Sequence, residues 1–444
     1  MLFEILSSSV MASVAGYGYL KRNGITNDAT KIQRIFRNCG LVVVEKDREQ
    51  KIKREVQLYR RSKILNDDKK VVGNEFVYRI PLGLSFGDFE KRIDHIRDGL
   101  NNKKQVFDFT ALKCLDFKGN VLQQIKEMVK NKKSIQKDVE LSYDGMLRVK
   151  VYNQPITDYL EYEEMKNSGW KIPIGLDRLG RIVYHDFDSE YYMLIGGAIG
   201  GGKSNAANLI LSHLLFTQSE NIKLSLVDLK DGIEFECYKD CKQVVGYADE
   251  PQGVMQVLED LLKFIEEMKI KVKEKGCRNV IEAGIKERHF LVIDEIAELS
   301  PDEETNKELK AAKQEMWATI NHIARLGRAW GVRIISATQH PIQECVPKYL
   351  KRNSEGRLCF SVEDDVASRV VLGTTGAEKL PEINGRALYK KGAKMKEIQT
   401  YRILNETIDK AININLKARE DHALTNENPE RRVSALVLKE TGLS

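Results

Sequence analysis

Tyr191-Tyr192-Met193-Leu194-Ile195-Gly196-Gly197-Ala198-Ile199-Gly200-Gly201-Gly202-Lys203-Ser204 is the stretch on which the reading of this 444-residue chain turns. Tyr191 to Ile195 is a short apolar run of strand type. Gly197, Ala198, Ile199, Gly200, Gly201, Gly202, Lys203 and Ser204 then satisfy the G-x-x-x-x-G-K-[ST] spacing of a phosphate loop. Five glycines in the seven residues from Gly196 let the backbone curl its N–H groups around a polyphosphate, which any Cβ would obstruct. The helix expected over Asn205 to Phe216 points its positive end at the same anion, and Asn205 closes the candidate nucleotide-binding set. Lys203 is expected to reach the β- and γ-phosphates and Ser204 to offer its hydroxyl to Mg²⁺.

Outward from the loop toward the C-terminus, strand and helix alternate, which predicts a parallel sheet covered on both faces. Ile222 to Val227 reads as a buried strand ending at Asp228. Val254, Val257, Leu258, Leu261, Leu262, Ile265 and Met268 trace the core face of a long helix. The next strand, His289 to Ile293, runs into Asp294 and Glu295, the second half of a nucleotide site. Asp294 suits the Mg²⁺ shell, and Glu295 suits polarisation of the attacking water. A helix ending at Trp330 leads into Val332 to Thr338, and Gln339 stands at the end of that buried strand, where it can sense the γ-phosphate or the water. Leu358–Val362, Arg386–Tyr389 and Ile398–Ile403 complete the sheet, and residues 405–444 form a polar, partly helical tail.

Upstream, residues 153–190 read as a connector entering the core through Ile172-Pro173-Ile174-Gly175, with a turn at Arg178-Leu179-Gly180. Residues 23–152 read as an α+β domain without a catalytic motif. Its strands are expected at Leu41–Val44, Val56–Tyr59 and Phe76–Ile80. A helix capped by Ser85 carries Phe86, Phe89, Ile93 and Ile96 on one face, and a second helix near Val121–Val129 precedes an alternating run over Val139–Tyr152. Residues 21–160 hold 30 Lys/Arg against 19 Asp/Glu, whereas residues 161–444 hold 41 against 45, so the net charge of +6 is concentrated in the front domain. A basic front domain suits a polyanionic partner. The seven cysteines are scattered, and the seven histidines form no ligand cluster; the thiols read as reduced and cytosolic. Leu2 to Leu20 is apolar enough, over about 19 residues, to be a membrane anchor spanning residues 1–22, or else an amphipathic helix. As an anchor it would leave the rest at the cytoplasmic face through Lys21 and Arg22.

These motifs, taken in order, resemble the FtsK/SpoIIIE family of DNA-pumping ATPases. The phosphate loop, VDLKDGIEF from Val227 to Phe235, HFLVIDEIAEL from His289 to Leu299 and GRAWGVRIISATQHP from Gly327 to Pro341 are similar to its successive motifs, as are Arg357–Val362, Ala367–Leu372 and Gly376–Leu380. The resemblance is firm over residues 172–403. It implies an α/β fold, a RecA-like core over residues 153–404 that binds ATP and Mg²⁺, and a ring of six subunits around duplex DNA. It also implies an arginine supplied by the neighbouring subunit, best matched by Arg357 and next by Arg369. Leu229 replaces the usual proline and His340 the usual arginine. The 40 residues after Leu404 leave no room for the winged helix of chromosome-segregating members, which directs the expectation to the short members of plasmids, conjugative elements and phages. The function expected is therefore a DNA translocase of a mobile element, acting with a relaxase or transfer-channel protein. Two alternatives stay open: an ATPase that exports proteins in a related secretion system, and a docking protein that binds ATP without turnover.

Overall fold

The computed structural model describes residues 28–47, 50–101, 106–107, 132–133, 136–166, 169–230, 232–302, 304–339, 341 and 346–417. The expected anchor at Leu2–Leu20 and the helix expected near Val121–Val129 lie outside them. Among the described residues no helix is long and apolar enough to cross a membrane.

The front unit begins with α1 (Asp28–Asn38) and the hairpin β1 (Val42–Asp47)/β2 (Gln50–Glu55), followed by β3 (Gln57–Leu65), β4 (Val71–Arg79), α2 (Phe86–Glu90) and α3 (Ile93–Asn101). A short pair, β5 (Val106–Phe107) and β6 (Lys132–Lys133), precedes the hairpin β7 (Asp138–Tyr143)/β8 (Leu147–Tyr152). Strands β3, β4, β8 and β7 form one antiparallel sheet in that order. Its inward face buries Phe76, Tyr78 and Val149 against Ile32 and Phe36 of α1 and Ile96 of α3. Phe36 meets the rings of Tyr78 and Phe89 edge-on at 5.3 and 5.2 Å, a geometry that aligns ring edges with ring faces. The single helix expected to carry Phe86 through Ile96 is two helices. Asp88 starts the first by accepting the Ser85 backbone N–H at 2.7 Å, and the apolar face continues across a break at Lys91–Arg92.

Residues 171–186 are no connector. They fold into β9 (Lys171–Asp177) and β10 (Ile182–Asp186), turning at Gly180, and form the outer edge of a ten-stranded sheet. The remaining strands are β11 (Tyr192–Gly196), β12 (Ile222–Val227), β13 (Val244–Ala248), β14 (Arg288–Ile293), β15 (Val332–Thr338), β16 (Gly356–Phe360), β17 (Arg386–Lys391) and β18 (Lys394–Thr400). Their order across the sheet is β10-β9-β18-β17-β16-β11-β15-β14-β12-β13. Neighbours from β16 to β13 are parallel, and those from β10 to β16 antiparallel. The central strands are buried along their whole length, as a sheet covered on both faces requires.

Two helices cover one face: α4 (Lys203–Thr217), continuous with the phosphate loop, and α9 (Asn405–Ile414), which brings Ala411 and Ile412 into the same core. The other face carries α5 (Pro251–Glu274), α6 (Lys307–Leu326), α7 (Lys348–Asn353) and α8 (Asp365–Leu372) over Leu194, Leu291 and Ile334. Helix α5 presents the apolar positions read from its sequence, with Leu262 at the margin of the core. Arg178 joins the two units, pairing with Asp138 of β7 and Glu397 of β18, while Arg181 meets Asp67 at 2.7 Å.

Helix α8 lies so near β11 that a Cβ on Gly196 would stand 2.3 Å from Val371 Cγ2. Gly196→Ala is therefore expected to lower the unfolding free energy by about 1–3 kcal/mol, as overpacked cores do. Adding Val371→Ala should restore part of the loss; chemical denaturation of the three variants measures both, and an unshifted Gly196→Ala midpoint would contradict the contact.

Candidate functional site

The C-terminal ends of β11, β12, β14 and β15 converge on one edge of the sheet, the place where open α/β sheets bind ligands. From β11 the chain enters the phosphate loop, in which Gly197, Gly200 and Gly202 have φ of 150°, 78° and 118°. Two constraints act together on Gly197 and Gly202. Their backbone is left-handed, and a Cβ on Gly197 would come to 2.7 Å from Phe360 Cβ, one on Gly202 to 3.0 Å from the Phe360 ring. Ala198 N–H donates to Ser361 O at 2.9 Å, tying the loop to the chain that leaves β16. Ile199 stands exposed in the turn. The cradle that a Cβ would fill and the helix N-terminus behind it fit a polyphosphate.

Lys203 is buried at the start of α4, and its Nζ donates to Gly197 O at 2.6 Å and Ala198 O at 2.7 Å. Burial lowers its ammonium to about 8, although Glu295 and Asp294 nearby favour the charge. Ser204 follows half-buried. Asn205 turns elsewhere: its Nδ2 donates to Tyr401 O at 2.7 Å and its Oδ1 accepts Ile403 N–H at 3.0 Å. Both ends of that amide are engaged with the segment after β18, so its side chain does not join the phosphate cradle.

Asp294 and Glu295 follow β14 and are both buried. Glu295 Oε2 accepts Gln339 N–H at 2.7 Å and Oε1 accepts Ala297 N–H at 3.3 Å, so the residue at the end of β15 and the carboxylate at the end of β14 are brought together. Burial raises the Glu295 carboxyl, with the Gln339 N–H opposing. Asp294 is raised to about 7, first by burial and then by Glu234 and Asp228. Its Oδ2 has no protein partner, which fits a cation ligand. Among the described residues no three His, Cys, Asp or Glu side chains converge as a metal site. Mg²⁺ would accordingly be shared between Ser204, Asp294 and phosphate oxygens, as this cation prefers.

Arg357 lies on β16 and is held by carbonyls of its own chain. Its Nε donates to Ser354 O at 3.0 Å and its two terminal nitrogens to Val371 O at 3.1 Å and Lys351 O at 2.7 Å. Arg369, on α8, is exposed and pairs with Asp365 at 2.8 Å.

Residues 158–290 match the FtsK/SpoIIIE family. The chain carries an FtsK/SpoIIIE domain. The DNA translocase FtsK of Chlorobaculum tepidum is 29% identical over 240 residues, which cover 50% of this chain and 29% of that protein. That of Tropheryma whipplei is 31% identical over 219 residues, 47% of this chain and 29% of its own. The chain spans about a third of the length of the curated relatives it matches. The pCW3 conjugation coupling protein TcpA, solved in its monomer form with ATPgS, has the same fold at 20% identity, with a TM-score of 0.58 over 87% of this chain and 99% of that one.

The sequence reading gave no role to two further residues of the site. Phe360 is the platform under the loop, unrecognisable as such in an apolar strand. Asp228 ends β12 next to Asp294, since Val227 and Ile293 are in register. Its Oδ2 accepts Phe235 N–H at 2.8 Å, and its buried Oδ1 has no partner. The signal was present: two adjacent hydrophobic strands each end in an aspartate.

Because the native state holds the Asp294 proton up to about pH 7 and the unfolded chain releases it near 4, stability from this group is lost as pH rises through that window. Asp294→Asn should raise Tm at pH 8 by about 2–4 °C and leave it nearly unchanged at pH 4, as thermal scans at both pH values would register. A lower Tm at pH 8 would refute the raised carboxyl.

Proposed function

We infer that this chain is an ATP-hydrolysing motor that moves duplex DNA for a mobile genetic element, working as a ring of six copies at the cytoplasmic face of the membrane. The observation that carries the reading is the fixed Glu295 carboxylate, gripped by the Gln339 and Ala297 N–H groups beside a phosphate loop whose lysine is buried. A carboxylate so oriented is preorganised to accept a proton from, and to align, the water that attacks the γ-phosphate. Gln339, whose backbone restrains Glu295, is suited to transmit the state of the γ-phosphate to β15. Lys203 exchanges two backbone carbonyls for phosphate oxygens when nucleotide enters. When bound through Ser204 and Asp294, Mg²⁺ supplies positive charge against the charge that grows on the transferring phosphoryl group.

The basic front domain supports a nucleic-acid client, and the solved fold spanning nearly all of TcpA supports the coupling role in transfer. A neighbouring arginine completes each site. Arg357 can reach a neighbour only by releasing three carbonyls, whereas Arg369 gives up one exposed ion pair.

Lys203→Ala should abolish ATP turnover, and Glu295→Gln should bind ATP without hydrolysing it. Plain duplex of any sequence should raise wild-type turnover, with an effect that weakens steeply as salt increases because the contacts are to phosphates. Stimulation by a secreted-protein fraction and by no form of DNA would replace this reading with protein export.

Mixed rings distinguish the arginines. Combining Arg369→Ala with Lys203→Ala subunits should restore some turnover at interfaces that keep both groups. Rescue with Arg357→Ala alone would transfer the role to Arg357, and rescue with neither would exclude a shared site.

A further inference from the structure

At the edge of the sheet opposite the phosphate loop, where β11, β14 and β15 begin, lies a second cavity of about 500 Å³. Arg278 and Ile281, from the segment after α5, form one wall; Arg325, Leu326 and Arg328, at the end of α6 and just beyond it, form the other, with Tyr191 between them. Tyr191 immediately precedes β11, so five residue steps, about 17 Å of extended chain, separate this cavity from Gly196. Three arginines face it and one carboxylate, Glu282, which already accepts the backbone N–H of Arg278 at 3.0 Å. Arg325 contacts His322 at 3.2 Å, and Arg328 lies 4.0 Å from Glu355. Such a cavity is larger than a simple anion needs and of the size that holds small organic ligands.

Beneath the cavity the charge continues inward. Two guanidinium groups lie over the ring of Tyr191, Arg328 at 4.3 Å and the fully buried Arg333 at 4.8 Å from its centroid. Arg333 donates to Asp188 at 2.7 Å, and the equally buried Arg288 donates to the same carboxylate at 2.9 Å. Two buried cations thus share one anion, and Arg333 Nε has no partner. Burial pushes the Arg333 guanidinium down to about 10, against the pull of Asp188. A positive charge left over in so dry a place is costly unless an anion lies close.

We propose that this cavity is a second nucleotide-binding site, taking a phosphate joined to an aromatic base, either as a free nucleotide or as one unit of a nucleic-acid strand. The arginine forks donate in pairs to phosphate oxygens, and their flat faces stack on bases. Ile281 and Leu326 supply the apolar side that a base requires and an inorganic anion does not. The strand shared by Tyr191 and Gly196 links this site to the phosphate loop. None of this depends on ATP being hydrolysed.

The test is equilibrium binding of radiolabelled dTMP to the full chain, with the phosphate loop saturated by Mg²⁺ and a non-hydrolysable ATP analogue. One dTMP per subunit should bind beside the analogue. Arg278→Ala and Arg328→Ala should each weaken it by about ten-fold or more, the size of a lost charge-assisted contact, with circular dichroism unchanged. Lys203→Ala should keep it. Arg328→Lys should retain charge but lose the flat stacking face, and so hold dTMP less tightly than wild type. Competition by 5′-phosphorylated oligothymidylate would identify the strand as the source, and its failure to compete would identify the free nucleotide. The proposal is overturned if dTMP does not bind, if its binding survives both alanine variants, if Lys203→Ala abolishes it, or if inorganic phosphate displaces it as well as unlabelled dTMP does.

Discussion

The side chain of Phe360 lies within van der Waals reach of three positions of the phosphate loop, so that Cβ atoms at Gly197, Gly201 and Gly202 would come to 2.7, 3.1 and 3.0 Å from it. The loop has no side chains of its own with which to pack, and its glycines would be costly to order in isolation. Phe360 provides the missing surface and is itself immobilised at the end of β16, between β11 and β17. The Ala198 to Ser361 hydrogen bond closes the same seam. The curvature of the loop, and so the direction of its N–H groups and of α4 behind it, depends on this one strand being in register with β11.

That rigidity permits an electrostatic arrangement that a looser fold would not keep. Asp228, Asp294 and Glu295 are buried at the ends of neighbouring strands, where desolvation raises all three carboxyl groups and the charges of Glu234, Asp228 and Glu295 raise Asp294 further. In a mobile segment they would move apart or turn toward water. The strand ends hold them because β12, β14 and β15 are continuously paired and covered on both faces. Lys203 offsets part of the repulsion, and a divalent cation with a polyphosphate would balance the rest. The site is thus destabilised alone and completed by its ligands.

The front unit reaches this machinery through the antiparallel edge of the sheet. Glu397 on β18 pairs both with Arg178, which also holds Asp138 of the front sheet, and with Arg386, which holds Asp158 in the segment between the two units. Arg386 is buried and Arg178 and Glu397 nearly so, so the two Glu397 pairs are less screened than surface ones, whereas Asp158 is exposed. From β18 only β17 intervenes before β16 and Phe360. The front unit is therefore joined to the seat of the phosphate loop through three hydrogen-bonded strands.

Much of this was legible in the residues. The glycine spacing before Lys203, the apolar run ending in Asp294-Glu295, and the helical period from Val254 to Met268 specify local backbone and burial directly, and the structure contains each of them. Spacing along the chain does not report which strand lies beside which, and the decisions that depended on neighbours were made by the tertiary structure. Asn205 reads as part of the cradle until the segment after β18 closes over both ends of its amide. Arg357, matched to a neighbour-supplied arginine by resemblance alone, is surrounded in the fold by three carbonyls from α7, α8 and the turn between α7 and β16. Residues 171–186 read as a connector because their partner strand, β18, lies more than two hundred residues away. Asp228 gained its place beside Asp294 only when β12 and β14 paired. The sequence by itself determined the phosphate loop and the carboxylates that serve it, because those are properties of a few consecutive residues. The tertiary structure decided which other side chains share their space, because strand order and register are set by the burial of the whole core.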